Sequence, residues 1–337
     1  MMLKLRYLVT GAAGFIGSSL VHKLSNFGNE ILAIDNFSPY YSKQYKKIRV
    51  ENLLFNENIK FVNCDLNDSQ KMKSKIKKFE PDMVIHLAAQ PGVRLPLNEN
   101  YKYIESNIKA FDNLLNILSE LKIHGFLYAS SSSVYGDTTQ FPLTEKSKEL
   151  SPKSFYGITK LANELVINGM AKNLNFPARG LRFFTAYGPW GRPDMLYFKL
   201  IANSLNSQKT TIFGDGTNSR DFTYIDDLIS SIIALSEDLS LREPGFSDIV
   251  NIGGGSTVSM NSLIEIVSNQ INSKIQVEFK EKHEGDVNKT IADTNYLNKL
   301  IGFKPTTDVN QGIEQTVKWA IQSSIRSELI KWSNSVN

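Results

Sequence analysis

The sequence has few of the residues from which disulfides and metal sites are built. Cys64 is the only cysteine among 337 residues, which excludes an intrachain disulfide and a cysteine-based metal site. The histidines are scattered, with no pair at metal-ligand spacing, so we expect no metal. No apolar run is long enough for a signal peptide or a membrane span, and we expect a cytoplasmic protein without a membrane partner.

The charge is nearly balanced, and this disfavours another class of partner. With 38 basic and 34 acidic residues, the formal net charge of +4 is too small to indicate nucleic-acid binding. The lysines between 71 and 78 are interpreted as the solvated face of a helix. Hydrophobic residues at 41% and charged residues at 21% are ordinary for a globular chain of this length.

Short apolar runs alternate with helical patterns over most of the chain. This alternation predicts right-handed βαβ crossovers and a Rossmann-type doubly wound parallel sheet of about seven strands, in the α/β class. The predicted strands are 5–10, 30–35, 60–64, 82–87, 126–130, 178–184 and 249–252. The predicted helices are 15–27, 68–79, 99–121, 154–173, 224–237, 259–271 and 308–332.

A glycine-rich loop follows the first strand. In Gly11, Gly14 and Gly17 the first glycine permits a tight turn, the second lets a pyrophosphate approach, and the third allows close helix packing. A purely structural turn is the alternative. Asp35 ends the second strand, where a carboxylate binds a ribose 2′-hydroxyl and repels a 2′-phosphate, so NAD is favoured over NADP.

The next two strands also end in cofactor candidates. Asp65-Leu66 would flank adenine, or Asp65 would cap the following helix. The small residues of Leu87-Ala88-Ala89 would let a cofactor lie close to the backbone. We therefore expect an NAD-binding Rossmann domain of residues 1–181 plus about 225–253. The remainder, about 182–224 plus 254–337, would form a smaller C-terminal α/β substrate-binding domain.

Tyr156 and Lys160 lie four residues apart on a predicted helix and therefore share one face. A lysine charge that close would lower the pKa of Tyr156 toward neutrality and make it a candidate general base. A solvated lysine beside a half-buried tyrosine is the alternative. The serines at 130–133 end the fifth strand, where ligands of open α/β sheets bind, unless they form only a turn.

Together these motifs resemble the extended short-chain dehydrogenase/reductase superfamily, over residues 3 to about 300. Segments 38–41, 89–94, 182–195 and 220–227 resemble its nucleotide-sugar 4-epimerases acting on UDP-glucuronate. The resemblance implies an isomerase that converts UDP-glucuronate to UDP-galacturonate with tightly bound NAD, through a transient 4-keto sugar. The same reaction on a neutral UDP-sugar is the alternative, whereas a non-catalytic dinucleotide-binding protein would usually lack the tyrosine or the lysine.

The resemblance also implies roles for individual residues. Tyr156 removes the proton of the sugar 4-hydroxyl, Lys160 lowers the pKa of Tyr156 and holds the nicotinamide ribose, and Ser131 hydrogen-bonds the 4-oxygen. The implied cofactor-binding residues are Gly11, Gly14, Phe15, Ile16, Gly17, Asp35, Asn36, Asp65, Leu66, Leu87, Ala88, Ala89, Asn107, Ser130, Tyr156, Lys160 and Phe183.

The substrate side is less regular. Ser132 and Ser133 stand where dehydratases and decarboxylases of the superfamily carry an acid, which favours epimerisation alone. The uronate carboxylate must be held so that CO₂ is not lost, and Ser132, Ser133, Thr185 and Arg192 are the candidates. Arg192 is otherwise an exposed loop residue, and Arg94 is a second carboxylate candidate or a loop or dimer contact. The implied substrate-binding residues are Arg94, Ser131, Ser132, Ser133, Thr185, Arg192, Tyr197, Phe198, Lys199, Phe213, Arg220 and Asp286.

The helix predicted at 154–173 carries a second apolar face, formed by Phe155, Ile158, Ala162, Leu165 and Gly169. Core packing is one interpretation of this face. In the resembled family this helix and the one near 99–121 pair across a dimer axis, so the resemblance implies a homodimer.

Overall fold

The computed structural model describes residues 4–281, 287–322 and 326–333. Its strands, in chain order, are β1 Arg6–Thr10, β2 Glu30–Asp35, β3 Ile59–Asn63, β4 Met83–His86, β5 Gly125–Ser131, β6 Ala178–Phe183, β7 Thr185–Tyr187, β8 Thr210–Phe213, β9 Ser219–Tyr224, β10 Ser247–Ile252, β11 Thr257–Ser259 and β12 Val277–Lys280. Its α-helices are α1 Phe15–Asn26, α2 Lys43–Leu53, α3 Ser69–Phe79, α4 Tyr101–Tyr103, α5 Ala110–Leu118, α6 Phe155–Met170, α7 Leu196–Ser204, α8 Ile225–Ser240, α9 Met260–Ile271, α10 Asn295–Ile301, α11 Val309–Gln322 and α12 Arg326–Ser333.

The central sheet is parallel, with the strand order β10-β6-β5-β4-β1-β2-β3. The predicted doubly wound sheet of seven strands is confirmed, and its last strand returns to pair with β6 as expected. The order reverses between β1 and β4, and the carboxyl ends of these strands open a crevice where ligands bind in such folds.

Hydrophobic clusters cover both faces of this sheet. Leu8 and Val9 are adjacent on β1, so their side chains point to opposite faces of the sheet. Both are fully buried and belong to different clusters, which shows that both faces are covered. The cluster around Leu8 includes residues of α3 and α5. The cluster around Val9 includes residues of α1 and α8 and continues through Tyr187 and Ile313 into the C-terminal elements. The cluster around Val9 therefore joins the central sheet to the C-terminal elements.

The C-terminal elements form two small sheets beside the crevice. One has the order β11-β9-β7, and the other pairs β12 with β8 in parallel. The smaller α/β unit expected there is thus built of short strands and the helices α7 and α9 to α12. In the described part of the chain, no helix is long and apolar enough to cross a membrane.

Two predicted helices differ from the structure. The pattern at 99–121 is a chain of short pieces: a 3₁₀ turn at Leu97–Glu99, α4, a π-helical stretch at Ile104–Lys109, and α5. Side-chain periodicity does not reveal the wider π turn, which brings Asn107 inward. The pattern at 308–332 is divided into α11 and α12, while α2 was not predicted.

Candidate active site

A cleft of about 1290 Å³ lies at the carboxyl ends of the central strands. Typical small-molecule pockets span roughly 300–1,000 Å³, so this cleft has room for two nucleotide-sized ligands. The predicted site residues that line it are Gly11, Gly14, Phe15, Ile16, Gly17, Asp35, Asn36, Asp65, Leu66, Leu87, Ala88, Ala89, Arg94, Ser130, Ser131, Ser132, Ser133, Tyr156, Lys160, Phe183, Thr185, Arg192, Lys199, Phe213 and Arg220.

Three of the predicted residues that the structure describes are not on the cleft wall. The Asn107 side chain is 1% exposed, accepts from Gln90 N at 2.7 Å and donates to Thr159 Oγ1 at 3.0 Å, so it supports the cleft-lining residue Gln90 from behind. Tyr197 and Phe198 belong to the hydrophobic core, and their side chains do not reach the cleft. A further predicted residue, Asp286, lies outside the described residues.

The glycine loop packs backbone against backbone. Gly11 has φ +72°, and a Cβ added there would lie 2.6 Å from the nitrogen of Ala88. A Cβ added to Gly17 would lie 2.1 Å from the oxygen of Gly11, so α1 begins in direct contact with the loop. Only glycine permits this geometry, which exposes the N-terminus of α1 to the cleft and fits a diphosphate.

The ends of β2 and β3 complete the cofactor side. Asp35 is 9% exposed, and its carboxylate accepts from Ala13 N at 3.1 Å and from Phe37 N at 2.7 Å. It therefore fixes the glycine loop as well as lining the cleft. Asp65 accepts from the side chain of Asn36 at 2.8 Å. The helix-cap interpretation of Asp65 is wrong, because Asp68 caps α3.

The end of β5 meets one face of α6. The Ser131 hydroxyl donates to Ser133 Oγ at 3.1 Å and lies close enough to the Tyr156 hydroxyl to lower the pKa of Tyr156. Lys160 Nζ donates to the carbonyl of Ala129 at 2.9 Å. The helix begins in this position because Ser154 caps it by accepting from the nitrogen of Gly157 at 3.1 Å. The candidate base, the lysine and the serine hydroxyl therefore share the floor of the cleft.

The electrostatics of this floor correct one expectation. Burial raises the pKa of Tyr156, and the opposing influences are the charge of Arg192 and the hydrogen bond from Ser131. Burial also lowers the pKa of Lys160 to about 8, against the effect of the Glu164 carboxylate. The Lys160 ammonium lies 5.8 Å from the Tyr156 ring centre and is directed to a backbone carbonyl. The prediction that Lys160 brings the Tyr156 pKa toward neutrality is therefore wrong for the protein chain alone.

Arg192 is held in place beside the cleft. Its Nε donates to Asp194 Oδ1 at 3.0 Å, and its Nη2 donates to the other carboxylate oxygen. The Tyr40 hydroxyl donates to the same carboxylate at 3.3 Å. The side chain of Arg192 is only 25% exposed, so its interpretation as an exposed loop residue is wrong.

The far end of the cleft carries cations and an aromatic ring. The guanidinium of Arg94 lies 5.6 Å from the ring centre of Phe213, which joins the loop after β4 to the C-terminal elements. Burial lowers the pKa of Lys199. Arg220 Nη1 donates to the backbone oxygen of Ser219 at 3.0 Å.

Sequence reasoning missed Arg49, which is fully buried on α2. Its guanidinium donates to Ala13 O at 2.7 Å, to the Tyr41 hydroxyl at 2.8 Å and to Trp190 O at 2.7 Å. It thus ties the glycine loop to the loop that carries Arg192. The available signal was Ser42, which caps α2 before a run of good helix formers.

The donor groups along the cleft show which ligands it suits. Within residues 4–281, 287–322 and 326–333, no group of three His, Cys, Asp or Glu side chains is placed to hold a metal ion. The donors that line the cleft are hydroxyls, backbone amides, guanidinium groups and ammonium groups, which suit a dinucleotide and a phosphorylated sugar.

Known proteins resemble this chain over nearly its whole length. A UDP-glucuronate 4-epimerase of Thermodesulfobacterium geofontis is 37% identical over 326 residues, covering 96% of this chain and 98% of that protein. The crystal structure of UDP-glucuronic acid 4-epimerase from Bacillus cereus, in complex with UDP-glucuronic acid and NAD, superposes with a TM-score of 0.86 at 33% identity, covering 94% of this chain and 99% of that one.

A relative with a neutral sugar is similar in fold as well. UDP-glucose 4-epimerase of Thermotoga maritima with UDP-glucose superposes with a TM-score of 0.85 at 28% identity, covering 96% of this chain and 100% of that one. Residues 7–253 match the family model described as the NAD dependent epimerase/dehydratase family. This protein is a member of the NAD dependent epimerase/dehydratase family.

Proposed function

We propose that this protein is an isomerase that interconverts UDP-glucuronate and UDP-galacturonate by NAD-dependent epimerisation at C4. The observation that carries the proposal is that Ser131, Tyr156 and Lys160 line the same part of the cleft, with Tyr156 and Lys160 one helical turn apart on α6. The relatives named for this reaction on UDP-glucuronate support the choice of substrate.

NAD fits the cofactor half of the cleft. The glycine loop and the N-terminus of α1 would hold its diphosphate, and Asp35 with Asn36 would hold the adenosine ribose. When bound, NAD accepts a hydride from C4 of the sugar and returns it to the opposite face. Adenine would lie beside Asp65 and Leu66. The remaining cofactor contacts are assigned to Leu87, Ala88, Ala89, Ser130 and Phe183.

Tyr156 takes the proton of the sugar 4-hydroxyl and gives it back after the ring has turned. Ser131 donates to the 4-oxygen and steadies the transient 4-keto group. Lys160, held against the carbonyl of Ala129, supplies positive charge and a ribose contact beneath the tyrosine. A general base works best with a pKa near the working pH, so the charge of Arg192 is needed to oppose the burial of Tyr156.

The sugar pocket disfavours further reaction of the 4-keto uronate. Ser132 and Ser133 line the cleft where an acid would be required for dehydration, and a hydroxyl has no suitable pKa for that task. Thr185 and the two serines would hold the carboxylate by hydrogen bonds, with Arg192 as its cation. Such contacts keep the C–CO₂ bond out of the alignment that permits loss of CO₂.

The nucleotide end of the substrate is assigned to the C-terminal elements. Lys199 and Arg220 supply cations for the diphosphate, and Phe213 lies beside the uracil. Arg94 closes this end by its contact with Phe213. We assign 1–181 plus about 225–253 to NAD binding, and about 182–224 plus 254–337 to the nucleotide sugar.

We infer a homodimer from the exposed apolar face of α6. Ile158 is 50% exposed and Leu165 is 63% exposed, so the core-packing interpretation of these two residues is wrong. Tyr101 and Ile104, at 61% and 43% exposure, extend the apolar surface onto the segment before α5. Exposed aromatic and aliphatic side chains on facing helices are typical of a protein–protein interface.

A substrate panel tests the proposed reaction. The purified protein is incubated separately with UDP-glucuronate, UDP-glucose and UDP-N-acetylglucosamine, and the 4-epimers are separated by anion-exchange chromatography. The proposal expects conversion of UDP-glucuronate to exceed that of both neutral sugars. Conversion of the neutral sugars alone would refute the choice of substrate, and a reaction without the protein serves as the blank.

A further inference from the structure

Three consecutive residues of β5 contact three residues on one face of α6. The Ser131 hydroxyl lies near that of Tyr156, the carbonyl of Ala129 accepts from Lys160 Nζ at 2.9 Å, and the hydroxyl of Ser130 donates to the carboxylate of Glu164. The three helix residues are spaced by four, so they lie one turn apart along the same face. Glu164 therefore extends the row formed by the proposed base and its lysine.

Glu164 is also one half of a buried ion pair. Its side chain is 5% exposed, and the Arg182 guanidinium on β6 donates to both carboxylate oxygens, at 2.9 and 2.7 Å. Arg182 lies 4.7 Å from the ring centre of Tyr135, whose hydroxyl donates to Asn251 on β10 at 2.7 Å. The network joins α6 to the carboxyl ends of three adjacent strands.

We propose that Glu164 is a positioning residue of the active site. Through Ser130 and Arg182 it fixes α6 against the ends of β5 and β6, so that Ser131 and Tyr156 meet at the sugar 4-oxygen. This inference rests on the proposed function. Packing alone does not require a carboxylate at position 164, and a buried carboxylate is costly unless it is paired. The positioning role explains why Glu164 is buried in line with Tyr156 and Lys160.

The charges around Lys160 explain a second effect of Glu164. Lys160 is buried, and the carboxylate one turn away favours its charged form. His86 on β4 stays neutral, because burial lowers its pKa to about 3 and the charge of Lys160 acts in the same direction. Other titratable and charged groups lie around the Lys160 ammonium and the Glu164 carboxylate. They are Tyr156 on α6, His86 on β4, Tyr128 on β5, Arg182 on β6, and Arg192 after β7.

The test compares paired variants of the NAD-loaded protein. Glu164→Gln alone leaves Arg182 buried without its counter-charge, so Glu164→Gln/Arg182→Met is made beside it to keep the protein folded. The control is Asp248→Asn, which breaks a bidentate pair with buried Arg179 at the opposite end of β6, with distances of 2.7 and 2.9 Å. Circular dichroism and thermal melting establish that each variant is folded.

We expect kcat with UDP-glucuronate to fall about 10- to 100-fold in the double variant, with KM within roughly threefold, because the loss is in positioning for the reaction. The alkaline limb of the pH profile should move to lower pH, since Lys160 loses the carboxylate that keeps it charged. Asp248→Asn should keep the wild-type profile. A folded double variant with wild-type kcat and pH profile would overturn the proposal, as would an equal loss of kcat in the control.

A second readout does not need turnover. Ionisation of Tyr156 is followed by absorbance near 295 nm, with Tyr156→Phe subtracted. We expect Tyr156 to ionise at higher pH in the double variant, because Ser131 no longer supports its anion. An unshifted titration contradicts the positioning role. If the wild-type protein does not convert UDP-glucuronate, the proposed function fails by itself, and the titration still tests Glu164.

Discussion

Replacing Arg192 with methionine separates two tasks that we propose for one side chain. The substitution keeps an unbranched apolar stem and removes the guanidinium that is paired with Asp194. If this guanidinium binds the uronate carboxylate, one charge-assisted hydrogen bond is lost, about 1.5–3 kcal/mol. At about 1.4 kcal/mol for each factor of ten, KM for UDP-glucuronate should rise about 10- to 100-fold.

The same change should alter the pH dependence of the reaction. The charge of Arg192 lowers the pKa of Tyr156 against its burial, so removing that charge raises the pKa. The active tyrosinate then forms only at higher pH, and the rising limb of kcat should move to higher pH. This shift does not depend on a carboxylate in the sugar.

The assay measures both 4-epimers by chromatography from pH 6 to 10, with UDP-glucuronate and UDP-glucose. Asp194→Asn is the matched control, because it keeps the arginine and removes only its partner. If KM rises equally for both sugars, Arg192 does not recognise the carboxylate. If the rising limb stays in place, its charge does not act on Tyr156.

Three further perturbations test separate parts of the structure. Tyr156→Phe should lower kcat by at least 10²-fold while retaining NAD, as measured by absorbance of the bound cofactor; retained activity would exclude Tyr156 as the base. Arg49→Met should destabilise the fold in urea unfolding by about 1–3 kcal/mol for each buried acceptor left without its donor, and Arg49 serves three; a change below about 1 kcal/mol in total would contradict the bridging role. Leu165→Glu should give a monomer in light scattering, whereas Leu241→Glu, at a leucine that is 82% exposed just after α8, should not.

The central sheet was predictable because its strands are buried on both faces and are bounded by clear turn signals. The cleft followed from this prediction, because the carboxyl ends of parallel strands lie at one edge. Helix α2 was missed because its apolar pattern is weak and its buried face contains Lys46 and Arg49, which are charged residues. The π-helical stretch was not predicted, because the hydrogen bond of Asn107 that accompanies it is made to Gln90, 17 residues earlier in the chain.

Contacts between residues far apart in the sequence also could not be predicted from the spacing of neighbouring residues. The spacing of Tyr156 and Lys160 indicates a shared helix face but does not show where the ammonium points. In the structure it is directed to Ala129, and the charge that acts on Tyr156 comes from Arg192, 36 residues further along the chain. The pairing of Arg192 with Asp194 likewise depends on how the loop after β7 folds.

The most direct test of C4 epimerisation is proton NMR of the product formed from UDP-glucuronate in D₂O. The hydride removed from C4 is returned to C4 without exchange with solvent, and neither Ser132 nor Ser133 has a pKa suited to removing a proton from C5. The account therefore predicts UDP-galacturonate with protium at both C4 and C5. Deuterium at C5, or a UDP-pentose formed by loss of CO₂, would contradict it.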